Sequence, residues 1–200
     1  MSFDDRRVMA RDLMFQQEIK DNVAQSYRSI ESGGGEAVAR KLYSDAELAE
    51  LPAHAVRWAL GVANPIRYAF LQPGETVLDV GSGGGIDTIL AARRVGSTGS
   101  AIGLDILEEM CERAGTHATA AGVAGWTRFV QGEMEDIPLP DASVDVVISN
   151  GVLNLSARKS RAMAEIHRVL RPGGRICLGD LTLDTELPIE VAADPSAWAG

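Results

Sequence analysis

The sequence has little cysteine, no long apolar run and no excess of positive charge. Its two cysteines, Cys111 and Cys177, lie far apart and form no C-x-x-C pair, which argues against a zinc site or a disulfide framework. No stretch approaches the roughly 20 apolar residues that cross a bilayer, and residues 1–20 lack the apolar centre of a secretion signal. These absences favour a cytoplasmic protein with no metal site and no membrane partner.

Acidic residues outnumber basic ones. There are 28 aspartates and glutamates against 19 lysines and arginines, which gives a formal net charge of -9. An acidic surface repels phosphate backbones, so nucleic acid is not an expected partner. The 200 residues are 46% hydrophobic, which suits one domain with a real core.

Short apolar segments alternate with helical patterns from residue 76 onward. The predicted strands are Thr76–Val80, Ser100–Asp105, Trp126–Gln131, Val144–Ser149 and Arg175–Leu181. The predicted helices between them are Ile86–Val95, Leu107–Ala121 and Ala157–Leu170. This alternation requires a parallel sheet with helices on both faces. We therefore predict an α/β fold with a Rossmann-like, doubly wound, mostly parallel sheet.

Two details of the last helix and strand are predicted with it. Arg171-Pro172-Gly173-Gly174 reads as a helix stop and a turn before the fifth strand. Glu165, His167 and Arg168 are expected on the solvated face of the helix.

The N-terminal part, residues 1–45, is predicted to be a helical extension that precedes the main domain at 46–200. Apolar residues recur at threes and fours from Asp4 to Ile30, which fits one long helix or two. The helix either covers the domain or forms a lid in which Tyr27 closes on a ligand. Gly33-Gly34-Gly35 ends it and suggests a hinge or loop. Shorter helices are predicted after an N-cap at Ser44, then at Ala53–Leu60 and Ile66–Leu71.

A glycine-rich turn follows the first predicted strand, in Asp79-Val80-Gly81-Ser82-Gly83-Gly84-Gly85. Glycines allow a sharp turn on which a ligand can lie against backbone N–H groups at a helix N-terminus. A dinucleotide would place a diphosphate there, but the carboxylate of Asp79 would repel it and would attract a cationic amino-acid tail instead. D-x-G-x-G-x-G therefore resembles the first motif of the S-adenosylmethionine-dependent methyltransferases.

Three further features fall where that family binds its cofactor. Asp105 and Ile106 end the second strand, where the acid either accepts both ribose hydroxyls or caps the next helix. Glu133 and Met134 follow the third strand, where a glutamate and a backbone N–H would reach adenine, unless they form a solvated loop. Asn150 ends the fourth strand, beside the expected sulfonium, or serves only as a turn residue before Gly151.

The resemblance extends over nearly the whole chain to the arsenite methyltransferase branch of the class I enzymes. It rests on Tyr43-Ser44, Gly61-Val62-Ala63-Asn64-Pro65, the glycine motif, Ser149-Asn150-Gly151-Val152-Leu153-Asn154-Leu155 and Glu186-Leu187-Pro188. It implies S-adenosylmethionine as cofactor, held by Asp79, Gly81, Ser82, Gly83, Asp105, Ile106, Glu133, Met134 and Asn150. The class normally has a sixth and seventh strand, for which too few residues follow Leu181. We expect another chain to cover the open edge, as in a homo-oligomer, or the sequence to be a fragment.

The chain departs from that branch at its arsenic ligands. Val62 and Gly151 stand where the resemblance implies cysteine, and the early cysteine near the glycine run at 33–35 is missing as well. Trivalent arsenic needs thiolate ligands, which valine and glycine do not supply. We therefore expect the fold and cofactor to be kept and arsenite methylation to be lost.

The sequence thus predicts methyl transfer to a small organic molecule through oxygen, nitrogen or carbon. No general base is assigned, because no motif places His54, His117 or His167 at the site. The alternative is a protein of the same fold that binds the cofactor or its demethylated product without methyl transfer, as a partner subunit or in another reaction. A nicotinamide-dependent oxidoreductase is disfavoured by Asp79.

Overall fold

A computed structural model describes residues 3–29, 34–185, 191 and 194. Gly33, the Glu186-Leu187-Pro188 motif and residues 195–200 lie outside the described residues. The described chain forms a parallel sheet with helices on both faces, as the alternating pattern predicts.

The sheet has five parallel strands in the order β3-β2-β1-β4-β5. Their bounds are β1 Thr76–Val80, β2 Ser100–Asp105, β3 Thr127–Gln131, β4 Val144–Asn150 and β5 Leu170–Gly179. Because β1 pairs with β2 on one side and β4 on the other, the strand order reverses at the carboxyl ends of β1 and β4. Ligands bind at such switch points in doubly wound sheets.

Seven helices are described: α1 Phe3–Ser29, α2 Gly35–Leu42, α3 Asp45–Ala49, α4 Ala53–Val56, α5 Ile86–Val95, α6 Glu108–Ala120 and α7 Lys159–Val169. The N-terminal pattern forms one helix, α1, rather than two. The predicted cap at Ser44 is present as a capping box, in which Ser44 Oγ accepts from the Glu47 N–H and the Glu47 carboxylate accepts from the Ser44 N–H. Of the predicted helix at residues 66–71 only a 3₁₀ turn at Pro65–Arg67 forms.

Strand residues alternate between two cores. Val77 and Val146 face one side of the sheet and pack with α5, and Leu78 and Val147 face the other side and pack with Ile166 of α7. All five of these residues are fully buried. Because β1 and β4 are buried on both faces of the sheet, their sequences are mostly apolar and do not alternate between apolar and polar residues.

The fifth strand begins earlier than predicted. Leu170 already pairs with Val144, and the register then shifts so that Arg175 pairs with Val146. The predicted turn at 171–174 is therefore a bulge inside β5, where Gly173 adopts a positive φ of 82°.

The prediction that Glu165 faces solvent is wrong. Its side chain is buried, accepts a hydrogen bond from the Ile137 N–H at 3.0 Å and pairs with Arg168 at 2.7 Å. Arg168 also donates to the carbonyls of Ile137 and Leu139. This network ties α7 to the loop before β4, which satisfies polar groups that would otherwise be buried without partners.

Strand β5 forms one edge of the described sheet, and the described residues after it add no sixth strand. Among the described helices, none combines the length and the apolar character that a membrane crossing requires.

Candidate active site

A cleft opens at the carboxyl ends of β1, β2 and β4, where the strand order reverses. It is lined by α1, residues 58–61, the glycine turn, residues 104–107, residues 132–135, residues 150–152 and residues 155–156. All nine sequence-predicted site residues line it. The topology therefore brings together predicted site residues from Asp79 to Asn150, about 70 residues apart in the sequence, because parallel strands end at the same edge of the sheet.

The glycine turn leaves its backbone open to the cleft. Gly81 and Gly83 have φ of 76° and 49°, and Gly81 lies so close to Val152 that an added Cβ would be 2.4 Å from its side chain. At Gly83 an added Cβ would meet nothing within 4 Å. The turn is thus closely packed at Gly81 and open at Gly83. A ligand that lies on main-chain atoms requires such an arrangement.

Ser82 adds a polar group at this turn. Its side chain is buried, lines the cleft, and its Oγ has no hydrogen-bond partner among the described residues. A buried hydroxyl normally finds a partner, so an orphaned one here suits a polar ligand.

Asp105 fixes the geometry of the turn from the end of β2. One carboxylate oxygen accepts from the Gly83 N–H at 2.8 Å and the other from the Leu107 N–H at 3.0 Å. Burial raises the pKa of this carboxyl, although the backbone donors oppose that shift. Each oxygen keeps a lone pair for a ligand hydroxyl, so the ribose interpretation stays a prediction. The helix-cap interpretation is wrong, because the N-cap of α6 is Leu107 and no side chain caps this helix. Ile106 lines the cleft beside it.

The loop after β3 carries two acids in different environments. Glu133 is half-exposed and forms an ion pair with Lys20 of α1. Glu135 is buried and accepts from Ser156 Oγ at 2.5 Å. Met134 lies between them and lines the cleft. The contact from Lys20 was not foreseen, because α1 and this loop are 113 residues apart.

Asn150 is occupied by contacts within the protein. Its Oδ1 accepts from the N–H groups of Val62 and Ala63 at 2.8 and 2.9 Å, and its Nδ2 lies within hydrogen-bond distance of the Ala63 carbonyl, Asp87 and Tyr43. An amide has two donor hydrogens and two acceptor lone pairs, so these partners use its full capacity. Asn150 lines the cleft, but its side chain anchors residues 62–63 to the end of β4.

Sequence reasoning missed Asp87 as a site residue. It lies on the first turn of α5, is buried, and accepts from Tyr43 Oη at 2.8 Å and Asn150 Nδ2 at 2.9 Å. Asp79 is also buried and accepts from Thr88 Oγ1 at 2.6 Å. A charged residue within the apolar run that begins at Ile86 was the available signal, since buried acids are rare unless they are paired or functional.

Burial shifts the titration of these groups. It raises the pKa of Asp79 well above its usual value, with the nearby Asp87 carboxylate as the second cause. It raises the pKa of Asp87 to about 6, opposed by the hydrogen bonds from Asn150 and Tyr43. The pKa of the Tyr43 hydroxyl is also raised by burial and by Asp87, so Tyr43 stays neutral and donates.

The charges around the cleft favour a cationic ligand. Of the described residues that line it, the carboxylates are Asp79, Asp87, Asp105, Glu133 and Glu135. The one lysine or arginine among these lining residues is Lys20, which is already paired with Glu133. An uncompensated set of buried carboxylates attracts positive charge.

Val62 and Gly151 lie side by side, and Gly151, but not Val62, lines the cleft. A Cβ added to Gly151 would be 3.3 Å from Val62 Cγ1, and Gly151 has a positive φ of 74°. The two positions at which cysteine was expected are thus adjacent in space and carry no thiol. Cys111 on α6 and Cys177 in β5 do not line the cleft, and burial raises the pKa of the Cys111 thiol to about 11.

Helix α1 covers the cleft. Lys20, Val23, Ala24 and Tyr27 line it, and Arg28 pairs with Glu109 of α6 at 3.2 Å. Burial raises the pKa of Tyr27, with Asp105 the second cause. Tyr27 therefore lies at the cleft, and the interpretation of α1 as a lid stays a prediction.

The histidines lie away from the cleft lining. His117 places Nδ1 2.7 Å from the Gly84 carbonyl, and its ring packs edge-on against that of His54 at 4.7 Å. Burial lowers the pKa of His117, so it is a neutral donor that supports the glycine turn. In the described part of the chain, no group of three His, Cys, Asp or Glu residues could hold a metal ion.

A family model described as a methyltransferase domain matches residues 71–200. The chain belongs to this family. The match covers the whole described sheet and the cleft segments from the glycine turn onward, so the predicted resemblance to class I methyltransferases is confirmed.

Known relatives agree with this assignment. The arsenite methyltransferase of Halobacterium salinarum is 44% identical over 141 residues, which cover 70% of this chain and 36% of that protein. The ubiquinone/menaquinone biosynthesis C-methyltransferase UbiE of Citrobacter koseri is 35% identical over 125 residues, which cover 62% and 49%. The crystal structure of an arsenic(III) S-adenosylmethionine methyltransferase from Chlamydomonas reinhardtii is similar with a TM-score of 0.68 at 40% identity, over 75% of this chain and 52% of that one. The chain therefore spans 36% to 52% of the length of these relatives.

Proposed function

We propose that this chain binds S-adenosylmethionine and transfers its methyl group to oxygen, nitrogen or carbon of a small organic molecule. The observation that carries the proposal is the cleft itself, in which an open glycine turn and uncompensated buried carboxylates meet at the switch point of the sheet. Family membership and relatives named as methyltransferases support it.

The residues present fit this cofactor. Gly81, Ser82 and Gly83 offer an open backbone and an orphaned buried hydroxyl, and Asp79 offers negative charge for the amino-acid tail. We assign the ribose hydroxyls to Asp105, as predicted from the sequence. A sulfonium supplies an already activated methyl group, so no strong catalytic group is required to activate the donor.

We assign the adenine to the loop after β3. Glu133 and the backbone of Met134 would hold it, with Ile106 lining the cleft beside them. The ion pair between Glu133 and Lys20 then brings α1 next to the adenine position.

The protein's own task in this reaction is alignment and exclusion of water. Methyl transfer is an in-line displacement, so the acceptor must be held on the far side of the methyl group. We assign this role to the acceptor side of the cleft, defined here as residues 60–63 and 150–155, together with Tyr27 of α1. Asn150 holds the two acceptor-side segments together through its hydrogen bonds to Val62 and Ala63.

The acceptor side lacks the chemistry for arsenite. Gly151 lines the cleft with bare backbone, and the neighbouring Val62 carries no thiol, whereas trivalent arsenic needs thiolate ligands. Leu60, Val152 and Leu155 add further apolar surface. We infer that the acceptor is an organic molecule with an apolar face.

Calorimetric titration with S-adenosylmethionine and with S-adenosylhomocysteine tests the cofactor assignment. A tritiated-methyl assay with a panel of phenols, quinols, amines and arsenite then tests the acceptor. Binding followed by transfer to an organic acceptor is the expected result. Transfer to arsenite would overturn the acceptor assignment, and binding without any transfer would favour the non-methylating alternative.

A further inference from the structure

We propose that Asp79 and Asp87 hold one proton between them in the ligand-free protein and release it when the ammonium end of the cofactor binds. The proposal rests on the cofactor assignment above and adds Asp87, with its supports Tyr43 and Asn150, to the binding site. It makes cofactor binding a proton-coupled step.

The geometry places two carboxyl groups in one water-poor part of the cleft. Asp79 lies near the end of β1 and Asp87 begins α5, and the glycine turn connects the two elements. The two residues are 2% and 7% exposed, and both line the cleft. Asp79 is hydrogen-bonded to Thr88, the residue next to Asp87, and each of two neighbouring buried carboxyl groups disfavours ionisation of the other when no cation lies between them.

The surroundings do not supply that cation. No ion pair joins Asp79 or Asp87 to a lysine or arginine of the described chain, although other acids of the cleft, such as Glu133, have one. The titratable and polar groups that face the pair from the packed elements are Tyr43, Glu47, Thr88, Asp105, Asn150 and Cys177. None of them carries positive charge, so a proton is the remaining means of reducing the repulsion.

The hydrogen bonds and the burial of each carboxyl group indicate whether Asp79 or Asp87 holds the proton. Asp87 accepts from two neutral donors, the Tyr43 hydroxyl at 2.8 Å and the Asn150 amide at 2.9 Å. Asp79 accepts from the Thr88 hydroxyl at 2.6 Å and from the backbone N–H of the same residue. Burial disfavours the ionised form, and Asp79 is the more deeply buried of the two, at 2% against 7% exposure, so Asp87 carries the charge and Asp79 the proton. The greater upward displacement of the Asp79 pKa agrees with this order.

Ligand binding then replaces the proton on Asp79 with the ammonium group of the ligand. When an ammonium group enters beside Asp79, the O–H bond of Asp79 breaks and the proton leaves to the solvent. The resulting carboxylate pairs with the ammonium group, and Asp87 keeps its hydrogen bonds from Tyr43 and Asn150. One proton is lost for each ammonium group that is bound, and net charge in this part of the cleft is conserved.

Calorimetry in buffers of different ionisation enthalpy measures that proton directly. At about pH 6.5, below the usual α-amino pKa of about 8, we expect release of close to one proton on binding of S-adenosylmethionine or S-adenosylhomocysteine. Methylthioadenosine lacks the amino-acid tail and should bind without proton release. Release with methylthioadenosine, or none with the two tailed ligands, would overturn the proposal.

Variants assign the proton to a residue. Asp79→Asn should abolish proton release while nucleoside binding, measured with methylthioadenosine, persists. Asp105→Asn should retain release despite weaker binding, and Glu112→Gln, an exposed acid on α6, serves as the matched control. Loss of release in Asp105→Asn alone would instead assign the proton to Asp105 and contradict the proposal.

A measurement without ligand separates this inference from the proposed function. Infrared spectra of the ligand-free protein at neutral pH should show the carbonyl band of a protonated buried carboxylic acid, which Asp79→Asn should remove. If no nucleoside binds but this band is present, the cofactor assignment fails while the shared proton stands. Absence of the band at neutral pH would show that both acids are ionised and would refute the shared proton.

Discussion

The two sides of the cleft are built from different kinds of structure. The nucleoside side consists of the glycine turn and Asp105, which follow directly on β1 and β2 and present mostly backbone to a ligand. The acceptor side brings together residues 60–63 and 150–155, and Asn150 joins the two across 87 or 88 residues of sequence. The first side matches its family motif throughout, whereas the second departs from it at Val62 and Gly151.

The difference reflects which atoms each side uses. A backbone cradle depends on glycine and on one acid, so we expect a change there to act directly on cofactor affinity. On the acceptor side Asn150 bonds to the backbone of Val62 and Ala63, so this framework does not depend on the Val62 side chain. This allows one fold to keep its cofactor while its acceptor changes.

The largest expected effect is on the framework of the acceptor side. Asn150→Ala removes the partner of two backbone N–H groups and of Asp87, and we expect it to lower the free energy of unfolding by about 2–5 kcal/mol. Urea denaturation measures the change. Asn154→Ala is the matched control, because the Asn154 Oδ1 has no hydrogen-bond partner in the described chain and its loss should cost far less. Equal losses in the two variants would show that Asn150 does not organise this side.

Substitutions on the nucleoside side should change the affinity for the cofactor more than the stability of the fold. Asp105→Ala should weaken cofactor binding by about 1.5–3 kcal/mol, because charged hydrogen bonds to the ribose would be lost. Calorimetry on a variant that circular dichroism shows to be folded gives the value. Glu112→Ala provides an exposed control, and unchanged affinity in Asp105→Ala would contradict the ribose assignment.

The raised pKa values of Asp79 and Asp87 predict how the free energy of unfolding depends on pH. Folding raises the pKa of Asp87 from 3.8 to about 6 and raises that of Asp79 as well, so between these values the folded protein binds more protons than the unfolded chain. Their contribution to stability is therefore fully present below about pH 4 and is lost as the pH rises through the folded pKa values. Each acid lowers the free energy of unfolding by at most about 1.4 kcal/mol for every pH unit in that window.

Denaturation of the ligand-free protein at several pH values checks this dependence. Asp79→Asn should flatten the profile and raise stability near pH 8, because it removes the repulsion between the two acids. Glu112→Gln should leave the profile unchanged. A wild-type profile with no fall between about pH 4 and 7 would contradict the predicted changes in pKa.

The smallest effect on stability is expected at the contact between α1 and the loop after β3. Lys20→Met removes the ion pair with half-exposed Glu133, and we expect a loss of less than about 1 kcal/mol in stability. Arg40→Met breaks an exposed pair with Glu36 and is the control. If Glu133 accepts the adenine amine, its release from Lys20 should leave cofactor affinity equal or higher. A marked loss of affinity would instead assign Lys20 a direct role in binding.

The sequence by itself determined the parallel sheet, the glycine turn and the position of Asp105 at the end of β2. These features depend on neighbours within a few residues: apolar runs form strands, glycines turn the chain, and parallel strands end at one edge. The capping box at Ser44 followed for the same reason, because all of its atoms lie within four residues.

Only the tertiary structure decided which partners the polar side chains take. The Asn150 amide oxygen accepts from the backbone of residues 62–63, and the Tyr43 hydroxyl donates to Asp87, 44 residues away. Lys20 forms an ion pair with Glu133, and the Glu165 carboxylate accepts from the Ile137 N–H. An amide or carboxylate can be satisfied equally well by many groups, and its choice depends on which of them the packed core places within about 3 Å. Sequence spacing carries no information on contacts between elements that the chain joins by long connections.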